Sequence, residues 1–91
     1  MRIDLLHTPG CSRCAKAAEA LKAVAMHLVG DMLDWRQLDV LQHLDYAVQL
    51  GVASPPALAI DGELAFAALP TPAALHSELQ RRLAQQLGAL R

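Results

Sequence analysis

Apolar and polar positions along the chain fall into short segments of two periods. Residues 2 to 7 read as a short buried strand, with Ile3, Leu5 and Leu6 apolar and Pro9-Gly10 ending it. From Ser12 to Val29 the positions Ala18, Leu21, Ala25 and Leu28 recur at helical spacing, with Lys16, Glu19 and Lys22 on another face and Gly30 as a stop. Leu33, Trp35, Leu38 and Val40 mark a second strand over roughly 33 to 39. Asp39 is placed to begin a helix whose apolar set, Leu41, Leu44, Ala47 and Val48, ends at Gly51. Val52-Ala53-Ser54-Pro55-Pro56 cannot be helical, because a residue before proline is held in extended conformations. Residues 57–60 and 63–66 flank Asp61-Gly62, a two-residue hairpin signal. Thr71 then caps a last helix, with Pro72 at its first position and Leu75, Leu79, Leu83 and Leu87 down one stripe until Gly88.

The order β-α-β-α-β-β-α predicts an α/β fold, a four-stranded mixed sheet with helices on both faces. Strands one and two should be parallel through a right-handed crossover, and the hairpin supplies the antiparallel part. A length of 91 residues predicts a single domain, 1–91. The chain is 54% apolar but only 3% aromatic, so its core must be built from Leu, Ala and Val, with Trp35 and Phe66 as core positions. His27, His43 and His76 read as solvated helix positions. A net charge of -1 and a pI near 6.4 leave no basic footprint for nucleic acid or an anionic membrane. Met1 and Arg2 lead directly into a strand with no apolar leader, so the expected location is cytoplasmic. No apolar run approaches the length of a membrane span.

Both cysteines stand in His7-Thr8-Pro9-Gly10-Cys11-Ser12-Arg13-Cys14, between the first strand and the first helix. A Cys-x-x-Cys by itself can be a disulfide, half of a metal site or chance; at a strand-to-helix junction it reads as a redox dithiol. Positions i and i+3 of a first helical turn share a face, with Cα atoms about 5 to 6 Å apart, inside disulfide range. In a reducing compartment a loop this short adds little as a structural bridge, which favours a working dithiol. Cys11, at the helix start, would meet unpaired N–H groups and the positive end of the helix dipole, and both favour a thiolate. A free thiol is only about 3% ionised at pH 7, so that help matters. Cys14, one turn in, is the more buried, resolving thiol. Arg13 and His7 are placed to tune the pair. A rival reading uses the two thiolates to bind copper(I) or zinc. A closed zinc site wants four ligands, and no second Cys-x-x-Cys or His-x-x-x-His completes one.

Two stretches together resemble the thioredoxin superfamily. Thr8-Pro9-Gly10-Cys11-Ser12-Arg13-Cys14 is similar to the Thr-Pro-x-Cys-x-x-Cys opening of glutaredoxins and small glutaredoxin-like proteins. Leu50-Gly51-Val52-Ala53-Ser54-Pro55-Pro56-Ala57-Leu58 is similar to the Tyr-Gly-Ile-Arg-Ser-Ile-Pro-Thr-Leu segment of thioredoxins. The resemblance implies a thioredoxin-like fold over essentially the whole chain and a thiol-disulfide oxidoreductase. Its only redox group would be the Cys11–Cys14 disulfide, with no added cofactor. Protein or small-molecule disulfides would be its substrates, and a reductase or low-molecular-weight thiol its electron donor. Pro56 takes the place of the family's cis-proline, and Ser54, Pro55 and Pro56 would face the substrate; Pro55 has no N–H to donate there. A non-catalytic adaptor on the same fold is the alternative. Several positions depart from the family. Gly10 replaces the tryptophan of thioredoxins, and Ser12-Arg13 replaces Gly-Pro between the cysteines. Leu5 stands where thioredoxins bury an aspartate, while Asp4 lies one position earlier on the other face of the strand. Phe66-Ala67-Ala68-Leu69-Pro70 lacks the Gly-Gly and acid with which glutaredoxins hold glutathione.

Overall fold

The computed structural model describes residues 1–89 of the chain. The elements in order are β1 (Arg2–His7), α1 (Ser12–Val29), a 3₁₀ turn (Gly30–Met32), β2 (Asp34–Asp39), α2 (Leu44–Leu50), β3 (Ala57–Ile60), β4 (Glu63–Phe66) and α3 (Pro72–Ala89). The four strands form one mixed sheet in the order β2-β1-β3-β4. β1 runs parallel to β2 and antiparallel to β3, and β3 is antiparallel to β4. This is the expected α/β architecture, with helices on both faces.

Alternation along β1 sorts the chain between those faces. Ile3 and Leu5 point to one side, where with Leu58 and Ile60 they meet Ala18, Leu21 and Ala25 of α1 and Leu75 and Leu79 of α3. Leu6 belongs to the other side, in a smaller cluster with Val40, Ala59 and Ala47 of α2. Trp35 and Phe66 pack, partly buried, against the larger core. The hairpin turn at Asp61 and Gly62 has positive φ at both residues, 51° and 81°, the form that matches strand twist and favours glycine. Its base is tied to β1: the Arg2 N–H donates to Asp61 Oδ1, and the Asp61 N–H donates to the Arg2 carbonyl, each at 2.8 Å.

Two helix boundaries differ from expectation. Asp39 does not begin a helix. Its Oδ1 accepts the Leu41 N–H at 2.9 Å and its carbonyl accepts the Gln42 N–H at 3.0 Å, which closes a turn, and α2 starts only at Leu44. The delayed start sets a different phase. Ala47, Tyr46 and Leu50 face the sheet, whereas Leu41, Leu44 and Val48, expected on the buried stripe, are exposed. At the other end of the chain, α3 begins as expected, with Thr71 Oγ1 accepting the Ala74 N–H at 3.1 Å. It does not stop at Gly88 but continues through Ala89. A glycine in an exposed helix costs only about 1 kcal/mol relative to alanine. Leu87, beyond the edge of the core, is exposed.

Candidate active site

β1 delivers the chain to the site, and a tight turn aims it. Gly10 has φ +74°, in the left-handed region, and no atom would crowd a Cβ there; backbone conformation, not space, is what glycine supplies. Cys11 follows as the N-cap of α1 in an extended conformation, and its Sγ accepts the backbone N–H of Cys14 at 3.3 Å. The two sulfurs are joined as a disulfide, with Cα atoms 5.3 Å apart. The pair is asymmetric: Cys11 is half-buried, whereas Cys14 is only 3% exposed. An open cleft of about 360 Å³ lies against both cysteines, walled by Thr8, Gly10, Ser12 and Ala15 and reached by His7 and Gln37.

The other expected site residues are placed as follows. His7 lies at the end of β1 with Nδ1 3.1 Å from the Thr8 carbonyl, and it reaches the cleft. Arg13 is exposed on the first turn of α1 and does not line the cleft. Ser54, Pro55 and Pro56 do not line it either. Register nevertheless puts them at the same end of the sheet, since Ala57, the residue after Pro56, pairs with Leu6, the residue before His7. The Pro55–Pro56 peptide bond is cis. Gln37 is a cleft residue that the sequence reading missed. It lies opposite Leu5 in the parallel β1–β2 register, and its Oε1 accepts the Trp35 indole N–H at 3.1 Å.

A second polar group lies under α2, on the sheet face away from α1. Asp4 is fully buried. Arg36, its direct neighbour across the β1–β2 pairing, donates from Nε to its Oδ1 at 2.7 Å, and the Tyr46 hydroxyl donates to its Oδ2 at 2.5 Å. Arg2 adds its charge at 3.4 Å from Oδ2 and lies over the Tyr46 ring. Burial alone would push the Asp4 carboxyl up; the Arg36 and Tyr46 hydrogen bonds and the two guanidinium charges outweigh it and hold the carboxyl below its ordinary value. Tyr46 is pushed up by burial and by its bond to that carboxylate. The signal in the sequence was an acid in an otherwise apolar strand, with arginines at positions 2 and 36 to meet it.

Among the described residues, no three His, Cys, Asp or Glu side chains cluster so as to hold a metal, so a metal on Cys11 and Cys14 would need ligands from elsewhere. No helix among them is long and apolar enough to cross a membrane. A family model described as a thioredoxin domain matches residues 1–80. The chain belongs to the thioredoxin family. It is similar to a thioredoxin of Methanocaldococcus jannaschii, with 26% identity over 83 residues that cover 91% of this chain and 96% of that one. It is also similar to probable thioredoxins of Methanothermobacter thermautotrophicus, with 27% identity over 71 residues (78% of this chain, 82% of that one), and of Methanothermobacter marburgensis, with 27% identity over 70 residues (77% and 81%). Thioredoxin-family membership and a cysteine pair at disulfide distance give the site a role of the thiol-disulfide oxidoreductase type. Within the thioredoxin family this member carries its buried carboxylate on the α2 face, across the sheet from the helix that bears the dithiol.

Proposed function

We propose that the protein is a dithiol oxidoreductase of the small glutaredoxin-like kind, with Cys11 as nucleophile and Cys14 as resolving thiol. In the reduced protein the Cys11 thiolate attacks one sulfur of a substrate disulfide. The S–S bond breaks, the departing sulfur leaves as a thiolate that takes a proton, and Cys11 is held in a mixed disulfide. Cys14 loses its proton and attacks the Cys11 sulfur, which re-forms the Cys11–Cys14 bond and frees the second substrate thiol. Two electrons pass from the protein to the substrate, and two more must come back from a reductase or a low-molecular-weight thiol. No further cofactor is needed. The observation that supports these roles most is the asymmetry of the pair: Cys11 sits at the cleft with a backbone N–H on its sulfur, while Cys14 is buried behind it.

His7, at the cleft, and Arg13, on the same helical turn, are the groups assigned to tune the thiolate. Ser54, Pro55 and Pro56 are assigned to the substrate side, because they enter β3 at the end of the sheet where β1 leaves it. With two prolines this segment offers a substrate carbonyl acceptors and few backbone donors. The 66–70 segment carries neither the glycine pair nor the acid that holds glutathione, so glutathione is not assigned as a bound substrate. A cycling dithiol suits a reducing compartment such as the cytoplasm. The test is mutational. Cys11→Ser should abolish reduction of a disulfide substrate, and Cys14→Ser should accumulate a mixed disulfide on Cys11, visible by mass and reversed by added dithiol. Full activity of Cys11→Ser would refute the assignment. The Cys14→Ser protein, incubated in lysate, then identifies the substrate attached to it.

A further inference from the structure

Of the seven Lys and Arg side chains within the described residues, Arg2 and Arg36 are committed to Asp4, and Arg81 and Arg82 to Glu78. The other three, Arg13, Lys16 and Lys22, have no carboxylate partner within 4.0 Å among the described residues, and all three lie on α1. Arg13 and Lys16 occupy its first two turns, both exposed, directly after Cys11. No acid occurs between Leu5 and Ala18; Glu19 is the first. The positive end of the helix adds to the same field.

The turns that enter β3 and leave β4 at this end of the sheet are uncharged. β3 enters here at Ala57 and β4 returns here, since Phe66 pairs with Leu58. Residues 52–58 and 64–75, which form those turns and lead into α3, contain no charged side chain. The acid in the strands at this end, Asp39, opposite His7, is half-buried with Oδ1 taken by the Leu41 N–H. Asp45 is carried by α2, on the other side of the sheet. A substrate reaching Cys11 therefore meets, on the side of α1, two cations with no ion-pair partner among the described residues and, on the side of β3 and β4, uncharged turns, with the half-buried Asp39 at the end of β2.

We infer that the dithiol selects disulfides set in acidic protein segments, with Asp or Glu beside the cysteine attacked, through Arg13 and Lys16. This rests on the dithiol reading above, and the exchange step is unchanged. One unit charge acting on another through water at a separation of about 7 Å alters a rate by about threefold, and reversing the substrate's charge against two cations compounds this. Three disulfide-linked peptides of one length, with Glu, Ser or Lys flanking the cysteine, make the comparison. Each is mixed with excess pre-reduced protein, and single-turnover release of thiol is followed. At low ionic strength the Glu peptide should react about tenfold or more faster than the Lys peptide. The ratio should shrink several-fold in about 0.5 M salt, where screening acts within a few Å. The double variant Arg13→Glu/Lys16→Glu should invert the preference, whereas Lys22→Glu, two turns further along α1, should shift it by less than about twofold. Normalising each variant to its own Ser-peptide rate removes any general change in the thiolate. Equal rates for the Glu and Lys peptides, a ratio unmoved in the double variant, or an equal shift in Lys22→Glu would each overturn the inference. Failure to reduce the Ser peptide at all would instead overturn the dithiol reading, so the two can fail separately.

Discussion

On one face of the sheet, Ile3, Leu5, Leu58 and Ile60 meet two helices of 18 residues each; on the other, Leu6, Ala59 and a carboxylate meet a helix of seven. The first face is held by apolar burial, at about 1.5 to 3 kcal/mol for each large side chain taken from water. Such burial is strong but undirected. The second buries few large apolar groups; α2 is tied to the sheet there by the directed bond from Tyr46 to Asp4, a carboxylate that Arg36 of the neighbouring strand β2 also engages. Bonds of this kind are modest in net energy and demanding in geometry, so they fix which residue of α2 faces the sheet. The dithiol helix belongs to the first face, and its position depends on the bulk core rather than on the polar group.

The largest effect should come from the apolar face. Leu21→Ala removes a fully buried side chain between α1 and the sheet and should cost about 3 kcal/mol, read as a fall in the denaturant midpoint. If it costs under 1 kcal/mol, the two faces do not differ as described. Asp4→Ala should cost less, about 2 kcal/mol, because Arg2 and Arg36, left without their partner, are each about 40% exposed and keep much of their hydration. The same carboxylate gives the acid limb its shape. Its pKa is lowered in the folded protein, so its contribution is complete above the unfolded value, near 3.9, and is lost as pH falls through the lower folded value. Wild-type stability should therefore decline below about pH 4 more steeply than that of Asp4→Ala; parallel acid limbs in chemical denaturation would exclude Asp4 as the source. Tyr46→Phe removes one of the bonds and keeps the ring, and should cost about 1 kcal/mol. Combined with Asp4→Ala it should add less than it costs alone, since the two side chains share one interaction.

The apolar face was legible in the sequence because period alone determines it. Ala18, Leu21 and Ala25 at helical spacing, and Leu75 with Leu79, name the inward stripes of α1 and α3 without knowledge of any partner. The dithiol was legible for a similar reason, since three residues of spacing and a turn before them are local facts. The polar face was not. Asp4, Arg36 and Tyr46 are brought together by strand register and by the phase of α2, across 32 and 42 residues of chain. The phase of α2 was misread because Asp39 has the right chemistry to start a helix; here it closes a turn instead, and the helix starts at Leu44. Gln37 escaped notice because its place at the cleft comes from β2 lying parallel beside β1.

The strand order β2-β1-β3-β4 leaves two outer strands whose backbones could pair with another molecule. Each has a feature that discourages this. β2 carries Asp34, Arg36 and Asp39 along its length, and an incoming strand would have to accommodate those charges. β4 is only four residues long, and its pairing with β3 is interrupted between Leu58 and Ala59, so it presents little regular ladder to extend. A small sheet with no spare strand to cover its rims is thus guarded against stacking edge to edge into aggregates, and its dithiol end can stay open to other proteins without the sheet itself becoming adhesive.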